Sequence, residues 1–413
     1  MMRLAATFIL HAFQIGYPAF ITWLAAAMAS QATGSEVVFY LGLGSLILVG
    51  LEYGFRYSGA REISLALGDA PRIAALIAAI LLIQTVLLLV TLLVAGGAMS
   101  ISVPAIGIGP AMCVLVFMIM NGIIPTWIFI ALSLQKEFLL YTAPVRLIGL
   151  AAAMTAGHFH SLNGLFLSQC VAMFAIHVAG LTLLWRSGYL ERVLPLRLAT
   201  ALLRDGRDVF VMKLGVFSYT SAGVLVLGIV QSPEMVGAFG LCQRLVTALQ
   251  QASAPLFMSA YPLSVRHVAG EKGLANSLLR LNGGALLSSL AMSLGIAIGG
   301  TSLLRLIQLD HYAGILDCIR IMAPLPMLLG ISTFLVNNAV LAAKRDDIVR
   351  TVTLVCGGIG IPAYFVMSQH YGLIGTAITL TAIEGCVALT YSIICLRAGL
   401  LPPLLYWRCR HEN

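Results

Sequence analysis

SEVVFYLGLGSLILVGLEYGFRYSGAREIS, residues 35–64, runs apolar for half its length and then turns charged within a few positions. No charged side chain stands between Glu36 and Glu52, after which Glu52, Arg56, Arg61 and Glu62 follow in close order. A helix that crosses a bilayer needs roughly 20 mostly apolar residues and polar flanks where it meets water. The stretch has that form, and the rest of the chain repeats it. Of the 413 residues 60% are hydrophobic and only 10% charged, with mean hydropathy +0.98. A soluble domain carries about 25% charged residues, so the chain reads as an integral membrane protein. Strict two-residue alternation is absent, which favours helices over a membrane barrel.

Twelve spans are expected, near residues 5–28, 37–58, 73–96, 108–133, 139–157, 164–185, 208–230, 235–262, 280–298, 316–343, 350–367 and 372–396. The first, with Arg3 ahead of it and AAAMAS at its end, imitates a cleavable leader. It is long for one and interrupted by His11, Gln14 and Pro18, so it is read as a retained helix. With the N-terminus in the cytoplasm, twenty of the 24 Lys and Arg fall on the cytoplasmic side. That is the positive-inside pattern with both termini cytoplasmic. The net charge of +8 is then a topology signal and a contact for anionic lipid, and it gives no support for nucleic acid.

The most basic connection, 186–207, falls near mid-chain and suggests two six-helix lobes, 1–200 and 201–413. Faint internal similarity supports two halves. Glu36, Gly42 and Leu43 match Glu234, Gly240 and Leu241; Gly122 and Lys136 match Gly330 and Lys344; Gly164 matches Gly375. Each offset is close to 200. The expected architecture is all-α, two six-helix bundles around a central cavity, with the transport route between the repeats.

Chemistry-bearing motifs are few. There is no phosphate-cradling G-x-x-x-x-G-K-[ST] stretch, no C-x-x-C pair among the eight cysteines, and no triad spacing, and no cofactor is expected. His158 and His160 read as a polar outer turn, though alternate spacing is also compatible with a metal clip. Glu52 and Arg56 stand four apart with the acid first, the better order for a helical pair. Two readings stay open: an internal pair that fixes packing, or the border of a polar lumen.

GLEYGFRYSGAREISLALGD (50–69), NGIIPTWIFIALSLQK (121–136) and SPEMVGAFGLCQRLVTALQQASAPLFMSAYPL (232–263) together resemble the Wzx-type polysaccharide-repeat flippases. These belong to a superfamily that also holds multidrug and toxin extrusion exporters and the lipid II flippase, which has two further helices. The likeness runs over nearly the whole chain. One departure is that Ile128 and Phe129 follow Trp127 where relatives often carry Gln.

The resemblance implies flipping of an undecaprenyl-diphosphate-linked oligosaccharide from the cytoplasmic to the periplasmic leaflet of the bacterial inner membrane. A polysaccharide polymerase and a chain-length regulator are the partners it suggests beside membrane lipids. Such cargo wants a wet cationic path, and a guanidinium fork matches phosphate oxygens. Arg244, Arg146 and Arg320 are the candidates, against the alternatives of internal pairing or snorkelling. Glu384, near the middle of span twelve, either couples transport to a proton gradient or pairs with an arginine. Short outer connections argue against a glycan polymerase, ligase or acyltransferase. The excess of intramembrane Arg over acids argues against a drug exporter of cationic compounds.

Overall fold

The computed structural model describes residues 2–28, 30–55, 58–101, 108–123, 126–190, 195–268 and 271–400, and every regular element among them is helical. The chain divides into two compact units, Met1–Lys213 and Leu214–Asn413. The lobe boundary read from the sequence, 200/201, sits in the first turns of one helix, and the compact units divide later on that same helix.

The first unit holds α1 (Met2–Met28), α2 (Gln31–Glu52), α3 (Ser58–Leu65), α4 (Ala70–Ile101), α5 (Ile108–Ile123), α6 (Thr126–Ala131), α7 (Gln135–His158), α8 (Leu162–Arg186) and the greater part of α9 (Leu196–Thr220). Starts and stops follow from local chemistry. The Ser30 hydroxyl accepts from Thr33 N (3.3 Å), and the Ser161 hydroxyl from Gly164 N (3.0 Å), so each serine satisfies a backbone donor that its helix leaves open. α2 stops at Glu52 because Tyr53 turns left-handed (φ 40°) and Gly54 follows at φ 83°. The expected end of span two at 58 is therefore corrected: the helix stops at Glu52. Arg56 itself lies outside the described residues.

Inside this unit Ile73, Ile77 and Ile80 of α4, Phe117 of α5 and Phe166 of α8 form a dry core. Phe129 stacks on Phe138 with ring centroids 3.9 Å apart. Ile128 and Phe129, the departure noted above, are thus core residues. Gly59 of α3 lets the Trp127 ring come within 2.9 Å of where a Cβ would stand. Leu93, Ile148 and Phe174 point outward, as apolar side chains do when the solvent is hydrocarbon.

The second unit contains α10 (Ala222–Val230), α11 (Pro233–Gln251), α12 (Ala254–Val268), α13 (Ala275–Leu306), α14 (Ile315–Met322), α15 (Leu325–Leu335), a π turn (Val336–Leu341) and α16 (Asp346–Arg397). Among the described residues eight helices or helix runs are long and apolar enough to cross a membrane, and α9 with α10, bent by 51°, makes a ninth. α16 has 52 residues, far more than a ~30 Å core admits at 1.5 Å per residue. It folds back on itself at Gly372 (φ 55°, ψ −133°), and the Ser368 and Thr376 hydroxyls meet at 2.8 Å. In a straight helix eight residues would separate them by roughly 12 Å. Spans eleven and twelve are therefore a tight hairpin. α1 and the α11–α12 pair fall where spans one and eight were expected. Spans seven, eight and ten are broken where single helices were expected, and span two is shorter than 37–58.

A buried polar seam joins three elements of this unit. Asn338, in the π turn, donates to Asn282 Oδ1 of α13 (2.9 Å) and accepts from the Ser264 hydroxyl of α12 (3.2 Å). Ser293 Oγ accepts Met327 N (2.9 Å), satisfying a donor at the start of α15.

Candidate functional site

Within the first unit the structure surrounds one predicted arginine with neutral groups. Arg146 of α7 is buried, 7% exposed, in a region the sequence assigns to the bilayer. Its guanidinium carbon lies 5.7 Å from the centre of the Phe13 ring and 5.8 Å from that of Tyr17. Phe13 and Tyr17 are one helical turn apart on α1, so both rings present to the same cation. The Tyr17 hydroxyl donates to Gln169 Oε1 of α8, and Gln169 Nε2 donates to the Gly149 carbonyl of α7 at 3.1 Å. Among the described residues Arg146 makes no ion pair, and its Nε is buried without a hydrogen-bond partner. A buried charge without a counter-ion costs several kcal/mol; the aromatic faces return about 1–2 kcal/mol.

At the end of α2, Glu52 Oε2 is 2.5 Å from Nζ of Lys213 on α9. Each side chain is 17% exposed. Tyr53 stacks on Phe210 beside them, centroids 4.5 Å apart and planes 19° from parallel. Gly54 admits Val209, whose Cβ would stand 2.9 Å from an added methyl. Glu52 thus has a basic partner remote in sequence.

In the second unit, Glu384 is 2% exposed on the returning half of α16. Tyr219, Tyr364 and Tyr391 are its electrostatic neighbours. The Tyr364 hydroxyl donates to Tyr219 O (2.7 Å), whereas the Tyr391 hydroxyl is buried without a partner. Among the described residues Glu384 forms no ion pair, so the paired-with-arginine alternative finds no partner there. Arg244 of α11 is half-buried and also lacks an ion pair among those residues. Arg320 is different. Its guanidinium lies 3.2 Å from Asp317, and both side chains are more than 60% exposed. The buried face of α14 is Ile315, Cys318, Ile319 and Met322. Arg320 therefore sits in an exposed pair with Asp317 on the opposite face of α14.

Sequence reading missed Phe13, Tyr17, Gln169, Lys213 and the tyrosines around Glu384. Gln169 carried a usable signal, because a lone amide in an apolar span needs an internal partner. Lys213 was counted only as a topology marker. No group of three metal-ligating His, Cys, Asp or Glu exists among the described residues.

Comparison with known proteins gives a family. A family model described as polysaccharide biosynthesis protein matches residues 9–268, more than half of the chain. The chain belongs to the polysaccharide biosynthesis protein family. This family member matches no curated protein. Among solved structures it is similar to the lipid II flippase MurJ in an inward closed conformation, with TM-score 0.67 and 10% identity over 94% of this chain and 87% of that one. It is also similar to a MATE in complex with MaD3S, with TM-score 0.54 and 13% identity over 96% and 93%. An outward-facing multidrug resistance MATE family transporter of the MOP superfamily follows at TM-score 0.51 and 11% identity, over 94% and 96%. At these identities the likeness is one of fold. It places this polysaccharide biosynthesis family member in an architecture shared by flippases and exporters.

Proposed function

We propose that this protein flips an undecaprenyl-diphosphate-linked oligosaccharide from the cytoplasmic to the periplasmic leaflet of the bacterial inner membrane, for O-antigen, capsule or exopolysaccharide assembly. The observation that carries the reading is Arg146, a buried guanidinium held by two aromatic faces with no acid paired to it among the described residues. Together with the family match over 9–268, it favours an anionic, glycan-bearing cargo. The polyprenyl tail stays in lipid throughout, so the protein has only to shelter the diphosphate and the sugars. Arg146 takes the diphosphate or an acidic sugar through its free fork, and Arg244 supplies a second positive charge. Glu384 takes up and releases a proton to couple the movement to an ion gradient. No covalent chemistry is required of the protein, and it is not an enzyme in this reading. Both termini face the cytoplasm, and a polymerase and a chain-length regulator receive the product.

Deleting the gene in its host tests the assignment. Surface polysaccharide should fall while the undecaprenyl-linked repeat unit accumulates. Unchanged surface polysaccharide with no accumulation would remove the function.

A further inference from the structure

The arrangement around Arg146 includes a device that keeps its charge available, and this inference rests on the anionic-cargo reading. We propose that Gln169 and Tyr17 are positioning residues that hold Arg146 open for an anion, and that position 169 is an amide because a carboxylate there would quench the site. Gln169 is fully buried, and it ties three helices together. Its oxygen accepts from Tyr17 of α1, and its nitrogen donates to Gly149 O of α7. Gly149 lies three residues after Arg146, on the same side of α7.

The tie is only possible with glycine at 149. A Cβ there would overlap the Tyr17 hydroxyl and stand 3.0 Å from Cβ of Ala172. Tyr17 therefore lies across the surface of α7, its hydroxyl occupied by Gln169 and its ring left to face Arg146. Every group in this frame is neutral. In an apolar bundle an arginine that served packing alone would be expected to have an acid. Here the bundle spends a buried amide and a buried phenol to support the cation and, among the described residues, pairs no negative charge with it. Glutamate at 169 has nearly the same shape. It can still accept from Tyr17, but it loses the donor to Gly149 and brings a full negative charge across the Tyr17 ring from Arg146.

The test compares Gln169→Glu with Gln169→Leu and Tyr17→Phe in nanodiscs, reading two quantities. One is affinity for undecaprenyl diphosphate, with undecaprenol as the uncharged control; the other is the thermal midpoint. Gln169→Glu should keep the thermal midpoint near that of the wild type, since attraction to Arg146 across the Tyr17 ring offsets the lost donor to Gly149, while binding undecaprenyl diphosphate about tenfold more weakly. Gln169→Leu should lower the midpoint, since Tyr17 and Gly149 both lose a partner. Tyr17→Phe should keep part of the affinity, because the ring remains. A purely structural Gln169 would make stability and affinity fall together in the Glu variant. That result, or wild-type affinity in the Glu variant, would overturn the positioning claim. Wild-type protein that ignores undecaprenyl diphosphate would instead sink the cargo assignment.

Discussion

Lys213 Nζ lies 2.5 Å from Glu52 Oε2, joining the end of α2 to α9 across 161 positions of sequence. The pair is only partly wet, and the stack of Tyr53 on Phe210 holds the two segments in register. Truncating one partner of a shielded pair leaves the other charge unpaired, which costs more than the pair itself contributes. Glu52→Gln and Lys213→Met should each lower stability by about 2 kcal/mol, and the double variant by clearly less than the sum. Thermal unfolding in detergent gives all three values. Strictly additive losses would contradict the observed partner.

The hairpin at Gly372 makes a second, sharper demand. An added Cβ at Gly375 would overlap the Met367 carbonyl, and backbone cannot swing aside as a flexible side chain can. Gly375→Ala should destabilise the protein by about 3 kcal/mol or abolish its accumulation in the membrane. Gly358→Ala, on the same element with open space around it, should be neutral or slightly stabilising. Expression and thermal midpoint read the contrast.

The π turn is tested through its amide. Asn338→Leu leaves Asn282 Oδ1 and the Ser264 hydroxyl without their partner. Interhelical hydrogen bonds within membrane proteins contribute about 0.6 kcal/mol on average and up to about 1.7. A loss of about 1–2 kcal/mol is expected, with Asn282→Leu adding little once Asn338 is gone. Additive losses would show that the two amides act separately.

Proton coupling makes a prediction at Glu384. In proteoliposomes with an imposed pH difference, wild-type cargo movement should follow the gradient. Glu384→Gln keeps the side-chain shape and removes the titratable group. It should retain the fold, with a thermal midpoint within a few degrees of wild type, and lose the response to the gradient. Gradient-driven transport that persists in this variant would free Glu384 from the coupling role.

Much of this was readable from hydropathy and charge, because a bilayer punishes polar residues strongly enough to write the helices into composition. Residues 35–64 already showed a span and its charged exit. The breaks were not readable. Ser221 and the π turn carry no proline or charge run to announce them, and Gly372 is one glycine among 40. Site residues were legible only singly. Arg146 and Glu384 stood out as charges in apolar spans, but their companions are neutral side chains brought together by tertiary packing. Glu52 drew attention for the right reason, yet its sequence neighbour at i+4 concealed a partner that only folding supplies. Arg320 stood out in the same way, and its acid, Asp317, lies one turn away on the same short helix.

Cargo movement itself is the most direct measure. Purified protein is placed in sealed vesicles with undecaprenyl-diphosphate-linked oligosaccharide, and the fraction reaching the opposite leaflet is read by a glycan-modifying reagent that cannot cross the bilayer. The wild-type protein should move the lipid, Arg146→Ala should reduce movement by at least about tenfold at equal protein amount, and Arg146→Lys should keep part of it. A wild-type protein that leaves the lipid in place while moving a cationic dye, or an Arg146→Ala variant as fast as wild type, would contradict the account.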